Sequence, residues 1–169
     1  MDLSYVYSKS SLWVQDGARI GSLFSFTPPA MTATIGDFKT TWMDMAMGVD
    51  TGMDPMTSTF KVGADLDILT LFGIMPGKTT RIQAKRTYKD INGNFHTFID
   101  EMEGIISTQE PDEHGTDGKE SVGYTITMRL NYYRLTVNGE EIYEINPYEM
   151  IRSIRGVNML QEEKDAHMR

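Results

Sequence analysis

Cysteine is absent from the 169 residues, so disulfides and thiolate metal ligands are excluded, a composition that fits folding in a reducing cytoplasm. Histidine occurs only as His96, His114 and His167, too far apart in sequence to form a paired-ligand or nucleophile–base motif. No apolar run approaches the ~20 residues that a membrane-spanning helix needs, and no membrane partner is expected. The opening Met1-Asp2-Leu3-Ser4-Tyr5 carries an acid where a secretory signal would carry a basic region, with no apolar core behind it, so export by signal peptide is not expected. Positive charge is scarce as well: 16 Lys and Arg stand against 24 Asp and Glu, giving a net charge of −8. That balance speaks against tight binding of nucleic acid, whose affinity comes mostly from cations that neutralise phosphates.

The composition that remains, 40% hydrophobic and 24% charged, describes one globular domain over residues 1–169, long enough to bury a single core. Three dipeptides, Asp16-Gly17, Asn92-Gly93 and Asn138-Gly139, each divide β-rich segments, and as two-residue turns they predict hairpins in an antiparallel sandwich or open barrel. From Tyr124 to Tyr132 apolar residues alternate with polar ones, the period of a strand with one buried face. The phase breaks at Tyr132-Tyr133, where a bulge is expected. One short helix is predicted over residues 65–73, with Asp65 capping its first turn, Asp67 at the positive end and Gly73 as a left-handed stop. Ile68 and Phe72, four apart, share its core-facing side. After the last hairpin, residues 147–169 read as a short helical or arm-like tail.

Charge is unevenly spread around Asn92-Gly93. From Lys78 to Lys89 the chain holds Lys78, Arg81, Lys85, Arg86 and Lys89 with no acid, whereas from Asp100 to Glu120 it holds Asp100, Glu101, Glu103, Glu110, Asp112, Glu113, Asp117 and Glu120 against Lys119 alone. As two arms of a hairpin these runs pair across strands for roughly 0.2–1 kcal/mol per pair. The acidic surplus is left for solvent or a lumen. Gly73-Ile74-Met75-Pro76-Gly77-Lys78-Thr79 has one residue too few between its glycines for a phosphate loop and follows a helix, so it reads as a helix-to-strand turn. The acidic loop at 112–118 lacks the ligand spacing of a calcium site. No metal, cofactor or catalytic residue is assigned. The segment 38–56 gathers Trp42, Met43, Met45, Met47, Met53 and Met56 among Gly and Asp, and flexible apolar methionine serves either as core filler or as an adaptable contact surface.

The C-terminal blocks "YYRLTVNGEEIYEI" and "NPYEMIRSIRGVNML" resemble the end of the tail tube proteins of contractile-tailed bacteriophages, a family shared with the tubes of R-type bacteriocins. "LWVQDGARIGSLFSFTPPAM" is similar to the family's first hairpin, "WMDMAMGVDTGMDPMTSTF" to a Gly- and Met-containing extension that reaches towards the adjacent ring, and "DLDILTLFGI" to its helix. The chain departs from the pattern at Glu103 before Gly104 and in the acidic "TQEPDEHGTDGKE".

The resemblance implies a structural protein and no enzyme: hexameric rings with a continuous inner β-barrel, stacked into a tube inside a contractile sheath. It further implies that Trp42, Met43, Met45, Met47, Met53 and Met56 contact neighbouring subunits. Asp100, Glu101 and Glu103 are the lumen candidates. Partners implied are the chain itself, the sheath, baseplate and tail terminator proteins, and in the lumen the tape measure protein and DNA, held without tight binding. The place implied is the virion tail, assembled in the bacterial host cytoplasm. Six copies at −8 each make an acidic conduit that repels DNA phosphates. A bacteriocin-type injection tube shares this reading. A monomeric β-sandwich binding module shares the fold signals but is expected to gather its aromatics into a platform, whereas here they are dispersed along strands; an acid hydrolase needs a carboxylate pair that no spacing marks.

Overall fold

The computed structural model describes residues 5–15 and 17–167. Met1 to Ser4, which carry most of the export reading, and Asp16, half of the first turn signal, lie outside them. The strands are β1 Val6–Val14, β2 Arg19–Ile20, β3 Leu23–Thr27, β4 Ala33–Phe38, β5 Met47–Met53, β6 Thr57–Gly63, β7 Thr80–Lys89, β8 Phe95–Pro111, β9 Gly123–Val137, β10 Glu140–Asn146, β11 Ile151–Ile154 and β12 Val157–Asn158. The helices are α1 Leu66–Leu71 and α2 Gln161–His167, with a short 3-10 turn at Lys119–Ser121. The antiparallel, mainly β architecture is as the turn grammar predicts. It is one ten-stranded sheet, in the order β12-β11-β10-β9-β8-β7-β1-β2 with β6 and β3 branching from β9, plus a separate two-stranded ribbon, β4-β5.

The long strands β8 and β9 belong to both leaves of this sheet. β9 pairs with β6 from Gly123 to Arg129 and with β10 from Tyr133 to Val137, and the changeover falls at the expected phase break. Asn131 is the extra residue there, opposite Glu103 and Gly104, so burial passes from Ile126, Met128 and Leu130 to Tyr133. Gly104 makes the bend possible, because a Cβ at that position would overlap the Arg129 carbonyl. The two leaves close on one core in which Leu12, Ile82, Ala84, Met102 and Tyr133 from one meet Phe60, Val62, Ile126 and Met128 from the other. α1 covers one end: Ile68 and Phe72 are buried as predicted, and Phe72 meets Phe60 edge-on with ring centroids 5.0 Å apart.

Several expectations are corrected. Only Asn138-Gly139, with φ of 51° and 84°, is a two-residue type I′ turn. The Asn92-Gly93 loop has three residues between Asp90 and Asn94, the first hairpin closes between Val14 and Ala18, and in both the glycine takes the left-handed position. Gly73 is not left-handed; α1 stops at Phe72, and Lys78 Nζ donates to the Leu71 and Thr70 carbonyls at 3.1 and 3.4 Å. Among the described residues there are two α-helices rather than one. The tail is neither arm nor helix throughout, because Arg155-Gly156 forms a second positive-φ turn and β11 and β12 extend the main sheet before α2. Asn158 fixes this end: its Oδ1 accepts from the Arg152 and Leu160 amides and its Nδ2 donates to the Met150 carbonyl.

Candidate functional site

The methionine-rich segment builds a ribbon that begins earlier than the sequence suggests, at Ala33, and runs through β4, a tip at 39–46, and β5. Cross-strand pairs share a face. Phe38 pairs with Met47 and Gly36 with Val49, so Phe38, Met47 and Val49 form one apolar face, each about half exposed. On the other face Ile35 lies over Gly48, beside Asp37 and Asp50. At the tip Trp42 is 83% and Met45 79% exposed. The six contact candidates therefore separate: Trp42, Met45 and Met47 are exposed, Met43 is half-buried with its sulfur accepting from the Thr40 amide, Met53 packs on the edge of the core, and Met56 is in it. The segment is partly core filler and partly surface.

A two-stranded ribbon is marginal in water by itself, and polar ties hold its root to the body. Arg152 of β11 pairs with Asp50 at 2.9 Å and donates to it again through Nη1 at 3.3 Å, while Thr34 donates to Asp54 at 2.6 Å across the ribbon's own base. The hydrogen bond from Arg152, helped by the Gly52 amide, holds the Asp50 carboxyl below the ordinary carboxylate range.

The lumen candidates are divided by the strand period. Asp100 lies on the core face and is wholly buried, which removes it from any lumen wall. Its carboxylate accepts from Arg86 Nε at 2.7 Å, Arg86 Nη2 at 3.0 Å and the Tyr133 hydroxyl at 2.6 Å. Burial and the neighbouring Asp100 charge push the Tyr133 hydroxyl far up, so it stays a donor. Glu101 and Glu103 lie on the opposite face of β8, and by register they share it with Arg81, Lys85 and Lys89 of β7 and Arg134 of β9. Glu101 is paired with Arg134 and, at 4.0 Å, with Arg81. Tyr132 donates to Glu144 at 2.9 Å, and burial together with that carboxylate raises its hydroxyl to about 12. This face is mixed in charge, not acidic.

A third surface is absent from the sequence reading. At the end of the main sheet near the Asn92-Gly93 loop, the core-side face runs past the second leaf, and Tyr7, Tyr88 and His96 form one cross-strand row. Tyr5 stacks on His96 at 4.2 Å, Tyr88 contacts Phe98 at 4.7 Å, and the Arg86 guanidinium lies 5.2 Å from the Phe98 ring. Tyr7 is 57% exposed. The aromatics are thus gathered into a shelf, where sequence reading has them dispersed. The available signal is alternation in "YVYSK", "RTYKD" and "NFHTFID", whose same-parity residues meet once register is fixed.

In the loop at 112–118 Asp112 pairs with Lys61 at 2.7 Å, and this hydrogen bond together with the Gly123 amide holds its carboxyl low, so it ties the loop down. Among the described residues no group of three or more His, Asp or Glu converges as a metal site. In comparison with known proteins, the family model described as phage tail tube protein FII matches residues 8–166. No curated protein matches the chain.

Proposed function

Because the chain belongs to the phage tail tube protein FII family, a family of structural proteins that make up the virion tail, we propose that it assembles as hexameric rings stacked into the inner tube of a contractile tail. The observation that carries this reading is the β4-β5 ribbon, an anchored hairpin that presents an apolar face and an exposed Trp42-Met45 tip with nothing among the described residues to cover them. Exposed apolar patches of this kind mark contact sites. Joining sheets across subunits into a ring barrel also removes strand edges that would otherwise template aggregation. The sheath, baseplate, tail terminator and tape measure proteins are the partners of such a tube.

The conduit mechanism takes a modified form. With Asp100 in the core, Glu101 and Glu103 remain the acidic contributors to a wall formed by the outer face of β7, β8 and β9, and they share it with the more numerous cations Arg81, Lys85, Lys89 and Arg134. On such a wall Glu101 offsets part of the positive charge through its pairs with Arg134 and Arg81. The net −8 of each copy supplies the long-range repulsion. Negative-stain microscopy of the purified chain at raised concentration tests the assignment: rings or hollow tubes are expected, and persistent dispersed monomers overturn it.

A further inference from the structure

We infer that Asn92 is a site of spontaneous deamidation, at which the chain converts its own asparagine to aspartate or isoaspartate, and that the fold withholds the same reaction from Asn138. This chemistry goes beyond the tube reading and does not depend on it.

The two sites are matched in local sequence. Each asparagine follows a β-branched aliphatic residue and precedes glycine, in Ile91-Asn92-Gly93 and Val137-Asn138-Gly139. Glycine carries no Cβ, so the backbone nitrogen that follows the asparagine is unhindered. The reaction needs only water and a base. A base takes the proton from the Gly93 nitrogen, which attacks Asn92 Cγ. The new N–C bond closes a cyclic imide, the Cγ–Nδ2 bond breaks, and Nδ2 takes a proton back and leaves as ammonia. Water then adds to one of the two imide carbonyls. Opening at the side-chain carbonyl restores the ordinary peptide bond beside an aspartate, whereas opening at the backbone carbonyl routes the chain through the side chain as isoaspartate.

The fold separates them. Asn138 is clamped to β8: its backbone amide donates to the Thr97 carbonyl, its Oδ1 accepts from the Thr97 amide and its Nδ2 donates to His96 Nδ1, each at 2.9 Å. His96 is held in turn by Asp90 at 3.0 Å. Both side-chain bonds must break before Cγ can turn to the Gly139 nitrogen. Asn92 is exposed in the middle of the three-residue loop, and its side chain makes no hydrogen bond among the described residues. Its backbone amide donates to Asp90 Oδ1 at 2.9 Å, and the Gly93 amide donates to the Asp90 carbonyl at 3.1 Å, so the attacking nitrogen has a single bond to open. A net hydrogen bond changes such a rate several-fold. The products differ as well. Isoaspartate adds a backbone atom, which at position 138 falls in the two-residue turn that sets the β9-β10 register. At position 92 it falls outside the β7-β8 ladder, whose last pair is Lys89 with Phe95. Conversion at Asn92 therefore spares the sheet and adds a carboxylate at the end of it that carries the aromatic shelf.

The matched sequences make the test internal to one chain. The unmodified protein is incubated in mildly alkaline buffer, folded and, in parallel, unfolded in guanidinium chloride, and digests are followed by mass spectrometry for replacement of the amide nitrogen by oxygen at each asparagine. Asn92→Gln, expected to lose the signal at position 92, fixes the assignment. In the folded chain, conversion at Asn92 is expected several-fold faster than at Asn138, and in denaturant the two rates are expected to converge. Equal rates in the folded chain, a faster Asn138, or no conversion at Asn92 each overturn the inference. A preference for Asn92 that persists undiminished in denaturant also overturns it, because local sequence and not the clamp on Asn138 then sets the ratio. Each of these outcomes leaves the tube reading standing.

Discussion

The Asp100 carboxylate, with no exposed surface and three donors from Arg86 and Tyr133, is a buried charge satisfied on every side. Asp100→Ala leaves the Arg86 guanidinium, 11% exposed, without its counter-charge, and is expected to cost about 3–5 kcal/mol in urea unfolding. The sequence shows a cationic and an acidic run on either side of a turn, yet which acid meets which base depends on register and on the leaf that covers one parity of β8. Gly104 is a second case. Gly104→Ala drives a methyl into the Arg129 carbonyl, and a loss of at least the roughly 1–3 kcal/mol of an overpacked core is expected in thermal or urea unfolding. Nothing in the local sequence distinguishes this glycine from one in an open turn, because the close approach comes from β9, some 25 residues away.

The β4-β5 ribbon owes its position to its root. The folded Asp50 carboxyl lies below its ordinary value of 3.8, held there by Arg152, so its contribution is fully present above that value and is lost as pH falls through the lowered one. The difference in urea midpoint between the unmodified chain and Asp50→Asn is therefore expected to be constant near neutrality and to shrink towards zero below pH 3.8. At the tip, Trp42, Met45 and Met47 replaced together by Ser are expected to leave thermal unfolding of the isolated chain nearly unchanged, since all three are exposed. The same variant is expected to form markedly shorter tubes, measured by negative-stain microscopy. Composition reveals a methionine cluster in residues 38–56 but not its division, because Met56 and Met45 differ only in what the fold places over them.

At the scale of the whole molecule, the bent β8-β9 spine decides which surfaces remain open. One leaf is covered by α1, β3 and β6 at one end, and the other end, with Tyr7 and Tyr88, projects beyond the shared core. With a net charge of −8, the isolated chain is expected not to retain duplex DNA, measured by electrophoretic mobility shift, because its overall negative charge opposes the phosphate contacts that release counterions. The sequence by itself determined the β class, the locations of the three loops marked by Asp-Gly and Asn-Gly, the core-facing side of α1, the break in strand phase beside Tyr132 and the absence of thiol chemistry. These features follow from local φ preferences and from apolar periodicity, both encoded within a few residues. Tertiary structure alone decided that Asp100 is core, that Glu101 and Glu103 share a face with cations, that the C-terminal segment extends the sheet, and that five dispersed aromatic residues form one shelf. Each of these depends on strand register and on the bend at Gly104, which set contacts between residues tens of positions apart that no local pattern records.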